Sequence, residues 1–584
     1  MPHSRSKLPQ MGELVTSQSN VSSAMANRRE QSPKKILLAG VFGPFGVDDE
    51  FGRKENIMEL FHNQVTREQG IASFRFFHRS FGLYFLAANI PGDVTVLDFP
   101  TKAAFEKEVL EGKYDIVGLS FIAPNFVKAK AMAAFVRANS PGTQIILGGH
   151  GTAIEGIENQ IECDHLVRGE GIRWLREHLG ADPDAPIQHP ALGSTERSYI
   201  FGVRVPGKSA NLLVPGVGCV NGCKFCSTSH FFGKQYTSYL SSGKQLFQTC
   251  CRIADQRGSN EFFVMDENFL KNKTRAMELL AEMERQGRFF EFQVFSSAEA
   301  IMDFGLDNLV RLGVTYIWVG VESSSEAGNF EKNQGSNPKL LVKELRRRGI
   351  IVLASGILCQ EHHTPENIHV DIDFMVALKA DFVQFMLLTP LPTTALYLDH
   401  KARGLLRTDL PFEEWHGQHL LSFRHPAFTG ERASRVLKEA FLRDYEVNGS
   451  SMYRVVDTTF RGYQWLSRMG QLDACLRARL EAFRSRVVGW SPMLPNIALH
   501  AVNEAERERA LRLDAEVQQA IPLRLQDRVR RWAIPIITAS WMLRVRLYGD
   551  RIQPAMIRTR FALKRPIPVM APAFTDSPCP YAAK

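Results

Sequence analysis

Three thiols lie within eight residues at Cys219-Val220-Asn221-Gly222-Cys223-Lys224-Phe225-Cys226, a CxxxCxxC spacing. Three thiolates on one tight loop can hold three irons of a 4Fe–4S cluster, leaving the fourth iron open to an exogenous ligand. Gly218 and Gly222 let such a loop wrap closely. The competing reading is a zinc site, which normally takes four protein ligands. No fourth ligand stands nearby in suitable spacing, and the adjacent Cys250 and Cys251 read as helix core. Nine cysteines in 584 residues are too few for a disulfide scaffold, which points to metal chemistry in a reducing compartment.

The elements that must position this loop are legible as apolar runs. Asn211–Val214 precedes it, and Glu261–Met265, Phe292–Phe295, Tyr316–Val321, Ile350–Leu353 and Phe382–Leu388 follow, alternating with helical stretches. Six strands over 211–400 predict a partial or full β/α barrel with its chemistry at the strand ends. Upstream, over 34–180, Ile36–Val41, Val94–Leu97, Ile116–Ser120 and Gln144–Gly149 alternate with helices such as Phe126–Asn139. Continuous apolar strands of this kind predict a doubly wound, Rossmann-like parallel sheet covered on both faces. Its ligand belongs beyond the carboxyl ends of the strands, where the Gly- and Ser-bearing loops fall. The fold class is therefore α/β. Residues 181–210 are rich in breakers and read as a linker. The polar segment 1–33 reads as a disordered leader, 401–520 as a helical substrate or cap region, and 521–584 as a basic tail. At 44% hydrophobic and 23% charged residues, a wholly disordered or collagen-like chain is excluded.

The cysteine motif, with Phe225 before its third cysteine, resembles that of the radical S-adenosylmethionine (SAM) superfamily. Phe262–Phe269 resembles the second-strand motif of the cobalamin-binding branch, which implies that Asp266 and Glu267 lie near the SAM amino group. Val294–Ser297 resembles the segment facing the SAM ribose or carboxylate, which implicates Ser297. Ile317–Ser323 matches the apolar-Gly-apolar-Glu-Ser strand, with Glu322 and Ser323 at its end. Two positions depart from the pattern: Thr393 and Cys359 stand where glycine is usual. In the upstream domain, Arg79–Ala88, Tyr114–Phe121, Gly148–Ala153 and Arg168–Gly171 resemble consecutive segments of the same branch. The resemblance implies cobalamin (B12) there, held by Ser120, Gly148, Gly149, His150 and Thr152. Physically, Ser120 and the small Gly148-Gly149 pair would admit a nucleotide-like tail. The DxHxxG motif that gives the mutases a cobalt-ligating histidine is absent, leaving water, another side chain or nothing as lower ligand. His62 and His78 lie in helix-like stretches and read as packing or surface.

The resemblance to this class B, methyltransferase-like branch implies three cofactors: the 4Fe–4S cluster, S-adenosyl-L-methionine and cobalamin. It implies reductive SAM cleavage to a 5′-deoxyadenosyl radical, followed by methylation of an unactivated carbon. It also implies an electron donor such as flavodoxin or ferredoxin. Radical cyclisation, rearrangement or C–C coupling without methyl transfer stays open. From another class, so does a non-enzymatic cobalamin sensor with a structural cluster.

The net charge of +9 has one address. From Ile521 to Arg565 there are eleven Arg and Lys against two Asp, a surplus of nine, so the remainder of the chain is neutral. Around Trp532–Leu543 these charges flank an apolar run too short to span a bilayer but suited to an interfacial helix. The expectation is a cytoplasmic protein with possible peripheral membrane contact, a small-molecule or lipid substrate, and no nucleic-acid partner.

Overall fold

The computed structural model describes residues 33–45, 49–51, 63–205, 207–324, 337–550 and 552–563. His62 and all but the last residue of the leader 1–33 lie outside the described residues. The first sheet is built from β1 (Lys35–Gly40), β3 (Gly92–Asp98), β4 (Ile116–Ser120), β5 (Gln144–Gly148) and β6 (His165–Leu166), while β2 (Arg75–His78) goes elsewhere. The order is β3-β1-β4-β5-β6, all parallel. In β1 every residue after Lys35 is buried, because alternate side chains serve two cores. Leu37 and Ala39 join one cluster with helix Phe126–Asn139, and Ile36 and Leu38 join another with helix Phe81–Asn89. The second cluster also takes in Leu212, Val214 and Phe263 from the other half of the chain, so the two halves share a core.

The segment 181–210, read as a linker, carries β7 (Thr195–Ile200) and β8 (Val203–Arg204), which form a three-stranded antiparallel sheet with β2. The strand was masked by the breakers around it and by a partner more than a hundred residues away. His78 accordingly lies in a strand, not a helix, and is buried beside the Phe263 ring at 5.6 Å.

The second half starts with β9 (Asn211–Leu213), followed by the hairpin strands β10 (Gly216–Gly218) and β11 (Tyr236–Ser238). Then come β12 (Glu261–Val264), β13 (Glu291–Phe295), β14 (Val314–Glu322), β15 (Ile351–Leu358) and β16 (Phe382–Leu387). They form a six-stranded parallel sheet in the order β16-β15-β14-β13-β12-β9, a partial barrel left open between its edge strands. Ile351, Leu353 and Phe382 pack against the helices Ser451–Ser467 and Glu504–Ala520, which close one side.

The basic tail is two elements. Helix Leu525–Tyr548 docks on the helical region, and β17 (Ile557–Leu563) adds antiparallel to the free edge of β3. The sequence reading has no strand after residue 400. Ile557-Arg558-Thr559-Arg560-Phe561 alternates charge with apolar residues, as suits an edge strand, but its charge hid it among the basic residues. No described helix is long and apolar enough to cross a membrane.

Candidate active site

The cysteine loop springs from the β10–β11 hairpin. Gly218 ends β10 at φ +88°, and a Cβ there would meet the Gln235 carbonyl at 2.2 Å, so only glycine closes this turn. Ser229, buried in helix Ser227–Phe231, buckles the loop: its hydroxyl donates to the Cys219 carbonyl at 2.7 Å and accepts from the Gly222 amide at 3.1 Å. The Cys226 amide donates to the Cys223 carbonyl at 3.0 Å. Burial pushes the Cys226 thiol up to about 12 and raises Cys219 as well, so each ionises readily only beside a cation. Among the described residues, the three-ligand groups gathered within 4.8 Å are His362/His363/Asp371 and Glu361/Asp399/His400; the cysteine trio is not one of them. A tetrahedral zinc would draw its sulfurs to about 3.8 Å from one another at Zn–S distances of ~2.3 Å.

The acidic pair at the end of β12 divides. Asp266 accepts from Tyr236 Oη at 2.7 Å and from Arg275 Nη2 at 2.7 Å, in an almost fully buried ion pair. Glu267 faces the cavity instead; burial and the neighbouring Asp266 charge push its carboxyl up to about 7, against a hydrogen bond from Thr228. At the end of β13, Ser297 immediately precedes helix Ala298–Phe304; its hydroxyl accepts from Asn268 Nδ2 at 2.9 Å and donates to Glu299 at 2.7 Å. Asn268 Oδ1 accepts from Ser296 and from the Ser297 amide, knitting the two strand ends together. Glu322 ends β14 buried and at φ +70°, and Ser323 donates to Asp371 at 2.6 Å. Ser297, Glu322 and Ser323 therefore occupy adjacent strand ends without reaching the cavity wall.

In the first domain, β4 and β5 end at Ser120 and Gly148, and the loop that follows β5 folds over Phe121. Gly149 has φ +83°, and a Cβ there would meet the Phe121 carbonyl at 2.6 Å. Thr152 is fully buried and donates to the Gly149 carbonyl at 2.8 Å, so it shapes the loop from behind. His150 lies flat on Phe231, with ring centroids 4.4 Å apart, and burial lowers its pKa to about 4, leaving it neutral. Phe231 comes just after the cysteine motif, so this stack joins the two halves.

One cavity of 530 Å³ opens there. Ser120, Gly149 and His150 line it from the first domain, and Gly218, Thr228 and Glu267 from the second. It lies where the first sheet reverses strand order, between β1 and β4, the usual ligand crevice of doubly wound sheets. A Cβ on the cavity-lining Gly82 would project into open space, so the wall is hollowed where a bulky planar group would rest. The donor set and the hollow fit a three-thiolate cluster facing a large cofactor across one cavity. Sequence reading missed Ser229, Arg275, Asn268 and Phe231. Arg275 left no local signal; Asn268 stands inside the Phe262–Phe269 motif without a role read for it, and Phe231-Phe232 and Ser229, directly behind a cysteine motif, could have been suspected.

Residues 69–177 match the B12 binding domain family, and residues 213–375 match the Radical SAM superfamily. The chain is 22% identical, over 57% of its length, to the uncharacterized methyltransferase PH0819 of Pyrococcus horikoshii, 78% of which is covered. It is 23% identical, over 53% of its length, to bacteriochlorophyllide d C-8(2)-methyltransferase of Chlorobaculum tepidum, 73% of which is covered. It is 22% identical, over 33% of its length, to the hopanoid C-2 methylase of Rhodopseudomonas palustris, 38% of which is covered. With a B12-binding domain ahead of a radical SAM domain, the chain is an enzyme homologous to the cobalamin-dependent radical SAM methyltransferases, with a 4Fe–4S cluster, S-adenosylmethionine and cobalamin as its cofactors.

Proposed function

We propose that this enzyme transfers a methyl group to an unactivated carbon of a hydrophobic, lipid-class substrate. The observation that carries the reading is a cavity walled by the loops of both cofactor domains and lined largely by apolar side chains, Phe85, Phe121, Phe231 and Met265 among them. The hopanoid C-2 methylase among its relatives supports the lipid class.

When bound, the cluster with SAM supplies a carbon-centred radical, and cobalamin supplies the methyl group. The chain's own residues then have separable tasks. Cys219, Cys223 and Cys226 hold three irons, and Ser229 keeps their loop closed. Glu267 accepts from the SAM ammonium, which would draw its carboxyl to the ionised form. Ser297, Glu322 and Ser323 set the shape of the neighbouring strand ends toward the rest of SAM. Asp266 does its work through Arg275 and Tyr236, fixing the β12 end that presents Glu267. Ser120, Gly148 and Gly149 give a small-residue floor to the cobalamin side, and Thr152 braces it. Neutral His150 and Phe231 form an aromatic wall that excludes water between the two reacting partners. A small electron-transfer protein such as flavodoxin or ferredoxin supplies the reducing electron, and the enzyme works at a membrane surface.

The test is anaerobic reconstitution with iron, sulfide and hydroxocobalamin, followed by SAM labelled in its methyl group. Wild type is expected to form 5′-deoxyadenosine, and Cys226→Ala to form none. Lipid extracts of a deletion strain, supplied with the enzyme and labelled SAM, should show one lipid gaining one labelled methyl in place of hydrogen. Labelled methyl appearing only in water-soluble metabolites would overturn the lipid class. Radical formation without any label transfer would overturn methylation.

A further inference from the structure

We infer that the outward face of helix Leu525–Tyr548 docks the enzyme on an anionic lipid bilayer, lying along the interface without crossing it. The helix is fixed to the protein along one side only. Asp527, Ile534 and Thr538 are its buried residues, and the Thr538 hydroxyl donates to the Phe201 carbonyl and accepts from Asn496, both at 3.2 Å. Arg531 pairs with Asp514, and Trp541 packs on Gly202.

On the opposite side stand Leu525, Val529, Trp532, Ile536, Leu543 and Leu547. At 3.6 residues per turn they fall within an arc of about 60° that runs the length of the helix. They are turned to solvent, Leu525 79% and Trp532 75% exposed. Large apolar side chains singly exposed need no explanation, but six in one stripe do. Arginines border the stripe on both sides, Arg528 and Arg546 along one edge and Arg544 along the other. The helix has one acidic residue, Asp527, and it is buried on the protein side. An apolar stripe with a purely cationic border matches the acyl–headgroup boundary of an anionic membrane, in which the stripe enters the acyl region and the guanidinium groups meet the phosphates. A second copy of the same face would set arginine against arginine, which argues against self-association through this surface.

The inference rests on the lipid-substrate reading for its use, and it fails separately from it. The anaerobically reconstituted full chain is sedimented with vesicles of phosphatidylcholine alone and of phosphatidylcholine with phosphatidylglycerol at roughly 3:1. Wild type is expected to bind the anionic vesicles, more weakly at high salt, and to bind the neutral ones poorly. The variant Trp532→Asp/Ile536→Asp, both positions being solvent-exposed, should lower the bound fraction at least about tenfold while keeping its melting profile and its SAM cleavage. No binding of wild type to either vesicle overturns docking, as does a double variant that binds equally well. So does wild type dimerising through this face, seen as a loss of dimer in the variant without any vesicle binding. Vesicle binding without any methylated lipid leaves docking standing and sinks the substrate reading alone.

Discussion

At Asp266 one carboxylate oxygen serves both Tyr236 and Arg275, so Asp266→Asn would leave a buried guanidinium without its counter-charge. Breaking such a pair costs about 3–5 kcal/mol, and the variant should unfold well below wild type in a denaturant titration. Glu267→Gln next door should melt like wild type yet bind SAM about tenfold more weakly or worse, measured by equilibrium dialysis, because it loses the charge facing the cavity. Equal effects of the two changes on stability would refute this division of labour. A second contrast lies at the two positions where glycine is usual. Thr393 and Cys359 sit at φ +70° and +54°, a region costly for side chains bearing a Cβ. Thr393 is solvent-exposed, so Thr393→Gly should stabilise by about 0.5–1 kcal/mol, seen as a higher unfolding midpoint. Cys359 is fully buried in the core, and Cys359→Gly should gain nothing because the lost packing offsets the relieved backbone. The motif showed the thiols because their spacing is local. Arg275 was invisible because its meaning depends on a partner placed by the fold.

Apart from the two-residue β6, the strands of both parallel sheets could be read as apolar runs because a strand buried on both faces needs no polar alternation. Elements whose pairing is distant and whose faces are mixed could not. β17 is the clearest instance: Arg558 reaches Glu108 of the neighbouring helix Lys102–Gly112 at 2.8 and 2.9 Å, and Arg560 reaches Asp93 of β3 at 2.7 and 2.5 Å, so charges that read as tail are ion pairs that fasten the strand to the first domain. Between the outer helix and this strand, the Gln553 side chain bonds the Phe45 backbone twice, accepting from its amide at 2.7 Å and donating to its carbonyl at 2.9 Å. Phe45 lines the cavity, so the carboxyl-terminal strap holds the first loop of the cobalamin domain. Truncation after Gly549 should therefore bare the β3 edge, lower the melting temperature and promote aggregation. The truncated chain should also lose cobalamin faster on gel filtration, followed by its visible absorbance. Gln553→Ala, which keeps β17, should speed cobalamin loss with little change in melting. Unchanged retention in both would show that the strap only covers an edge.

Three buried histidines join the halves of the molecule, and their neutrality makes the joint sensitive to acid. His78 on β2 packs on Phe263 of β12, and His150 packs on Phe231. His189 lies against Phe85, donates from Nδ1 to the Pro190 carbonyl at 2.9 Å, and accepts at Nε2 from the Val214 amide at 2.9 Å. A proton on that Nε2 would set two N–H groups against each other just ahead of the cysteine hairpin. Burial lowers His78 and His150 to about 4 and His189 to about 3. Unfolded histidine titrates near 6.5, so below that pH the unfolded chain takes up three protons that the folded chain refuses. Glu267, raised to about 7, works the other way and returns one proton to the folded side between its own value and the ordinary carboxyl range. For these four groups alone the net difference of about two protons corresponds to a slope of about 2–3 kcal/mol per pH unit. Stability should be intact at pH 7 and fall steeply between pH 6 and 5, before the surface carboxylates titrate. Melting temperatures of the full chain at half-unit steps from pH 7.5 to 5 check this, with scattering to see whether the halves part. A flat profile down to pH 5 would mean that these rings are not what holds the two cofactor domains face to face.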